Sequence, residues 1–222
     1  HGGSLEDFSE HIRIAVAHNA DDQAETILFR VLRGTGTDGL AGIAYERKER
    51  GFSVIRPILD IPRKEIEEYC REHDLSPVED HTNHQSIYTR NKIRLELLPE
   101  LEKEYNENVR GALLRLGKIA ASDSDYLQQC AEEALQEFLR ETSSDEVVLE
   151  RDGLAGIHEA LRHRILLQSF ARLGLASDIS AERIAAADRI IEKKQAPKTV
   201  EFPRGYRVTV AGGLVHICAP KK

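Results

Sequence analysis

The stretch AHNADDQAETILFRVLRGTGTDGLAGI, Ala17 to Ile43, joins a histidine, two adjacent carboxylates, an amphipathic pattern and a glycine-rich basic turn. Immediately before it, His11 to Ala17 reads HIRIAVA, an apolar and partly β-branched run that predicts a buried strand. His18 and Asn19 then fall at the strand's carboxyl end, the edge where open α/β sheets bind ligands. Ala24, Ile27, Leu28 and Val31 recur at helical spacing, so Asp21 to Leu32 is expected to be a helix. Asp21 or Asp22 can cap it, because a carboxylate accepts the unpaired N–H groups of a first turn. One cap does not need two carboxylates. The second suits a divalent cation or a substrate ammonium, with His18 as polar or acid/base partner. Arg33-Gly34-Thr35-Gly36 closes the helix. Its spacing favours a left-handed glycine stop, and the functional alternative is a phosphate approached by Arg33 and exposed backbone amides.

The 222 residues can bury one or two cores, and 41% hydrophobic with 31% charged residues describe an ordinary globular protein. No apolar run approaches the roughly 18 residues that span a bilayer, and no signal peptide is visible, so no membrane partner is expected. Cys70, Cys130 and Cys218 form no CxxC pair, which favours a reducing cytoplasm over a zinc or iron–sulfur site. A net charge of −7 argues against nonspecific coating of nucleic acid, yet Arg90, Lys92 and Arg94 cluster, as do Arg162, His163 and Arg164. His1-Gly2-Gly3-Ser4 carries no periodicity and reads as a tag remnant, a linker or a loop end. A lone strand forms no sheet, so the partner of residues 11–17 is expected to be missing or supplied by another chain.

Further along, Val54 to Leu59 predicts a strand and Ile61 to His73 a helix burying Ile66, Tyr69 and Cys70. Pro77 to Asp80 reads as extended and His81 to Tyr88 as a surface loop. Tyr88 to Arg94 then leads into a helix, Leu95 to Tyr105, with three cations at the junction that can meet phosphate and Asn91 as a cap or base contact. Asn106 to Glu141 predicts a helical connector, kinked or divided at Ser122 to Asp125, and Thr142 to Asp145 a linker. Val147 to Leu149 opens a second unit. It continues with helices over Ile157 to Leu173 and Ser180 to Lys194, then strands over Lys198 to Phe202, Arg204 to Val210 and Leu214 to Cys218.

AHNADDQAETILFRVLRGTGTDGLAGI, RPILDIPRKEIEEYC and VEDHTNHQSIYTRNKIR followed by ELLPELE resemble, in order and approximate spacing, the tRNA(Ile)-lysidine synthetases of the PP-loop ATP pyrophosphatase superfamily. The resemblance implies an α/β protein with three parts. Residues 1–105 would be part of a PP-loop, adenine nucleotide alpha hydrolase-like parallel-sheet domain, and 106–145 a helical connector. Residues 146–222 would be a small α+β domain like that family's first carboxyl-terminal, tRNA-binding domain. It further implies a ligase that uses ATP and Mg2+ to adenylate the wobble cytidine of a tRNA(Ile) with a CAU anticodon, then joins L-lysine at C2 to form lysidine. By the same resemblance His18, Asp22 and Arg90 would be catalytic, with Asp22 also the metal ligand. Asp21, Glu25, Arg33, Gly34, Gly36 and Asn91 would bind ATP or substrate, and Lys92, Arg94, Arg162 and Arg164 would bind tRNA. The expected location is cytoplasmic, and a homodimer is admissible. Asn19 stands where many relatives have a second His. The family's SGGxDS loop is not among these residues, so the chain alone reads as an incomplete form. The alternatives are a noncatalytic tRNA-binding fragment and another PP-loop tRNA-modifying enzyme.

Overall fold

The computed structural model describes residues 12–49, 51–76, 89–193 and 198–220. The chain divides into two compact units, residues 1–124 and 125–222, with the boundary inside one long helix. The stretches 77–80 and 81–88, expected to be extended and a surface loop, lie outside the described residues.

The first unit begins with β1 (Arg13–Ala15), α1 (Ala20–Leu32), the short α2 (Thr37–Leu40), β2 (Glu46–Glu49) and β3 (Phe52–Ile55). The partner sought for the first strand is β3, within this chain: β1 and β3 run parallel with Ile14 opposite Val54. The sheet order is β1-β3-β2, and β2 is antiparallel to β3. Burial of β1 is not observed. Ile12 and Ile14 are 46% and 45% exposed, because β1 lies at the sheet edge and, among the described residues, pairs with β3 alone. The sequence ERKE of β2 has no apolar alternation and suits an edge, where charge discourages further pairing. The strand expected over Val54 to Leu59 ends at Ile55, since Pro57 has no N–H to give a ladder.

Helix α3 (Arg63–Glu72) follows, with Pro62 at its N-cap position. Of the stripe expected to be buried, Ile66 and Cys70 are only half-buried, and Tyr69 points to solvent and stacks on His73 one turn later, ring centroids 4.0 Å apart. A second helical run starts earlier than Leu95. It comprises α4 (Thr89–Lys92), a π-helical turn (Ile93–Leu97) and α5 (Leu98–Glu104). Pro99 cannot donate the bond that would close a regular ladder at this point, and Leu98 N–H reaches back to Ile93 instead. The widened turn presents Ile93 and Leu98 together to Leu28 of α1, with Phe29, Leu97, Leu101, Val109 and Leu113 around them.

Helix α6 (Val109–Phe138) is one element, so Ser122 to Asp125 does not divide it. Ser124 is buried and donates to Asp38 at 2.5 Å. The helix does not reach Glu141: Leu139–Thr142 forms β4, paired with β5 (Glu146–Glu150). The expected linker is therefore the turn of a hairpin, held by Ser143 Oγ, which accepts from the N–H groups of Asp145 and Glu146.

The second unit continues through α7 (Arg151–Gly156), α8 (Glu159–Arg172) and α9 (Ala181–Glu192), then β6 (Lys198–Glu201), β7 (Arg207–Ala211) and β8 (Leu214–Cys218). Its antiparallel sheet has the order β4-β5-β8-β7-β6. Val147, Leu149, Val208, Val210, Val215 and Ile217 alternate onto the inner face and meet Leu154, Ile165, Phe170 and Ile191 of the helices. Each such side chain stabilises the unit by about 1.5–3 kcal/mol on burial. Ser180 occupies the N-cap position of α9, although its side chain makes no capping bond.

Candidate active site

The turn after β1 is built around Asn19. Its side-chain oxygen accepts from the backbone N–H groups of Asp21 and Asp22 at 3.0 and 3.1 Å, and Asp22 Oδ2 accepts from Asn19 N–H at 3.0 Å. This reciprocal capping box corrects the expectation that an aspartate caps α1. At the other end Gly34, at φ +77°, supplies the left-handed stop expected of it, with its N–H bonded to Val31. Gly36 instead opens α2 as its N-cap, at φ −85°.

The two neighbouring aspartates have separate surroundings. Asp21 Oδ1 accepts from Arg110 at 2.9 Å, and Oδ2 accepts from the N–H of Arg63 at 2.8 Å. Asp21 therefore ties the starts of α1, α3 and α6 together. Arg110 also reaches Glu102 at 2.8 Å. Asp22 turns its second oxygen toward Arg94 at 3.0 Å and Arg90 at 3.5 Å.

One turn on, Glu25 is buried and pairs with the same two arginines. Arg94 grips it with both prongs at 2.6 and 2.9 Å, and Arg90 Nε lies at 3.3 Å. Glu25 holds the Arg94 guanidinium charged, raising its pKa above the ordinary arginine value against the opposing pull of burial. Arg90 is the looser partner. It is 43% exposed, and its remaining bonds to the Asp22 carbonyl and Thr26 are both 3.3 Å long. The four side chains neutralise one another in two strengths, Arg94 short and enclosed, Arg90 long and open.

His18 sits in the turn after β1, half-buried, with Nδ1 enclosed and, among the described residues, without a hydrogen-bond partner. A buried ring nitrogen left unbonded costs free energy, so an incoming donor or acceptor at this point is favoured. A cleft of about 600 Å³ runs beside α1, lined by Thr26, Phe29, Arg30, Arg33, Gly34, Thr35, Gly39 and Arg90. Arg30 is committed to the carbonyls of Gly39 and Gly42, at 2.9 and 2.6 Å, while Arg33 lies over the Phe29 ring at 5.2 Å.

Asp22, Glu25, Arg90 and Arg94 thus come together, with Arg90 also lining the cleft beside Arg33 and Gly34. Lys92 is exposed and Asn91 half-buried on α4. Arg94 differs from the surface cation expected, since its charge is spent inside the protein. Arg162 differs more. It is buried, bonded to both oxygens of Asp188 at 2.5 and 3.0 Å and to Glu192 at 2.7 Å, because a buried guanidinium requires carboxylate partners. Arg164 is half-buried and donates to the carbonyl of Ala160.

Asp22 has both oxygens engaged, and among the described residues no group of three or more His, Cys, Asp and Glu is placed to hold a metal ion. A divalent cation shared with ATP phosphates needs only one or two carboxylates, and to take one Asp22 would have to release Arg94 or Arg90. Asn19, Gln23 and Arg110 are the contributors that sequence reading missed. Gln23 fastens the loop after α2, accepting from Ile43 N–H and donating to the carbonyls of Ala41 and Ile43. Asn19 alone carried a usable signal, as an N-cap residue three positions before a carboxylate.

Residues 7–101 match the PP-loop domain family, so this part of the chain is a PP-loop domain. Over most of its length the chain is also a homologue of proteins named tRNA(Ile)-lysidine synthase. It is 38% identical to that of Clostridioides difficile over 197 residues, which cover 88% of this chain and 42% of the relative. It is 37% identical to that of Clostridium tetani over 206 residues, 92% of this chain and 43% of the relative. With the Nostoc protein of the same name it shares 33% identity, over 91% of this chain and 62% of the relative. The chain therefore spans less than half the length of the two clostridial relatives. No described helix is long and apolar enough to cross a membrane.

Proposed function

We propose that this chain is part of a cytoplasmic enzyme that joins L-lysine to C2 of the wobble cytidine of a CAU-anticodon tRNA(Ile), using ATP and passing through an adenylated tRNA. The observation that carries this reading is the Asp22–Glu25 carboxylate pair, held at the ligand edge of β1 by one tight arginine and one loose one. The relatives' name supports the substrate class.

The chemistry requires an anion that orients a cationic substrate, a base near the attacking amine and cations against phosphate. Asp22 and Glu25 supply the anion. A lysine ammonium entering there replaces Arg90, whose contacts are 3.3–3.5 Å, and leaves the 2.6 Å Arg94 bond in place. His18, in the turn between β1 and α1, has an unbonded Nδ1 that can take the proton lost when the amine attacks. Arg90 faces phosphate. Asp21 acts by fixing the start of α1 through Arg63 and Arg110 and does not itself touch substrate.

The test is lysidine formation on CAU-anticodon tRNA by protein that supports turnover, followed with Asp22→Asn and Glu25→Gln. Loss of turnover in both with tRNA binding retained supports the reading. Undiminished turnover in Asp22→Asn removes Asp22 from the site.

A further inference from the structure

The cleft along α1 has an uneven charge. Among the described residues its lining contains three arginines, Arg30, Arg33 and Arg90, and no carboxylate, in a chain whose net charge is −7. The cations differ in availability. Arg30 is bound to two carbonyls, and Arg90 is shared with Glu25 and Asp22. Arg33, exposed and laid over Phe29, makes no carboxylate pair among the described residues. A guanidinium stacked on a ring keeps its edge donors for an anion while the ring fixes its plane.

The cleft runs from Arg90, which also touches Asp22 and Glu25, to Arg33 at the far end of α1. Arg33 caps the carboxyl end of α1 and Asn19 its amino end, about 20 Å apart at about 1.5 Å per residue. A mononucleotide carries its phosphates at one end only, whereas the phosphates of a polynucleotide recur along the strand and meet cations at both ends of α1. Arg33 over Phe29, beside Thr26 and Thr35, further provides the cationic and hydroxyl groups that contact nucleic-acid phosphates.

We propose that the Arg33–Thr35 cleft is a binding site for the backbone phosphates of single-stranded RNA flanking the nucleotide that reacts at the Asp22–Glu25 end. The site rests on the tRNA substrate proposed above and adds where that strand runs. It reassigns Arg33 and Gly34 from ATP to RNA and leaves Arg90 bridging the two ends of the site.

The experiment measures binding of an anticodon stem-loop RNA to the whole chain between about 50 and 200 mM salt, with ATP binding followed in parallel. The variants are Arg33→Gln, which removes one exposed charge, and Thr35→Glu, which puts an anion into the cleft. Each phosphate contact contributes about 0.7–0.9 to the salt slope. Arg33→Gln is expected to lower that slope by about 1 and weaken RNA binding several-fold whatever the loop sequence. Thr35→Glu is expected to weaken it further, and ATP affinity stays as in the parent for both. Unchanged RNA affinity and slope in both variants overturns the proposal, as does loss of ATP binding with RNA binding intact. A protein that forms lysidine while both variants bind RNA normally refutes the cleft alone. A protein that shows the slope change but forms no lysidine refutes the lysidine reading alone.

Discussion

Arg94 grips Glu25 with both prongs of its guanidinium, at 2.6 and 2.9 Å, across 69 residues of sequence. The Glu25 side chain is 1% exposed, so its charge depends on this partner, and the π-helical turn carrying Arg94 is fixed against α1 by the same bond. Breaking such a pair from one side leaves a buried charge without compensation.

Arg94→Gln is accordingly expected to destabilise the chain by about 3 kcal/mol, at the low end for a buried pair because Arg94 itself is 23% exposed. Urea unfolding checks this. The double change Glu25→Gln with Arg94→Gln should cost less than the sum of the two single changes. Additive costs would mean that the pair is not the source of the stability.

Asn19→Ala removes the acceptor for the N–H groups of Asp21 and Asp22 and should cost about 1 kcal/mol in the same measurement. Asn19→Asp keeps an acceptor at the cap and should recover most of that loss. A loss of stability in Asn19→Asp equal to that in Asn19→Ala would contradict the capping role.

What was legible in the sequence was local. The helical spacing of Ala24, Ile27 and Leu28 and the glycine stop at Gly34 are properties of consecutive residues, and α1 formed where they placed it. The strand expected over Leu214 to Cys218 was equally direct, while that expected from Arg204 begins only at Arg207, after a turn at Pro203 to Gly205. The site partners were not legible, because nothing near Asp22 or Glu25 names Arg94 or Arg110, which reach them through chain reversals. Strand β2 was missed because ERKE has no apolar period and pairs only through the backbone of β3. Leu139 to Glu141 read as helix because Leu, Arg and Glu favour it, until pairing with β5 overrode that weak preference.

Arg162 is a test of fold against binding. With its charge held by Asp188 and Glu192, Arg162→Gln should lower stability by about 3 kcal/mol and reduce RNA affinity only as the folded fraction falls. A stable variant with weakened RNA binding would restore Arg162 to a surface role.

Glu146 carries a pH dependence. Hydrogen bonding from His216 holds its carboxyl below the ordinary 4.5, with the bond from Cys218 adding to it and burial opposing. A depressed folded pKa favours the ionised native form. This stability is complete above about pH 4.5 and is lost as pH falls through the lower folded value. The Glu146 side chain is 40% exposed, so solvent screening keeps the effect small. Glu146→Gln should flatten the acid side of the stability profile, and an unaltered acid limb would remove Glu146 as its origin.

The most direct measurement is nucleoside mass analysis of the wobble position after CAU-anticodon tRNA(Ile) is incubated with ATP, lysine and turnover-competent protein, either with Asp22 intact or with the Asp22→Asn change. With Asp22, lysidine should replace cytidine and AMP and pyrophosphate should appear. Asp22→Asn should reduce the rate by about a hundredfold or more, as expected for loss of a charged group that orients the substrate. Cytidine left unmodified by the parent protein, or lysidine formed equally well by Asp22→Asn, would contradict the account.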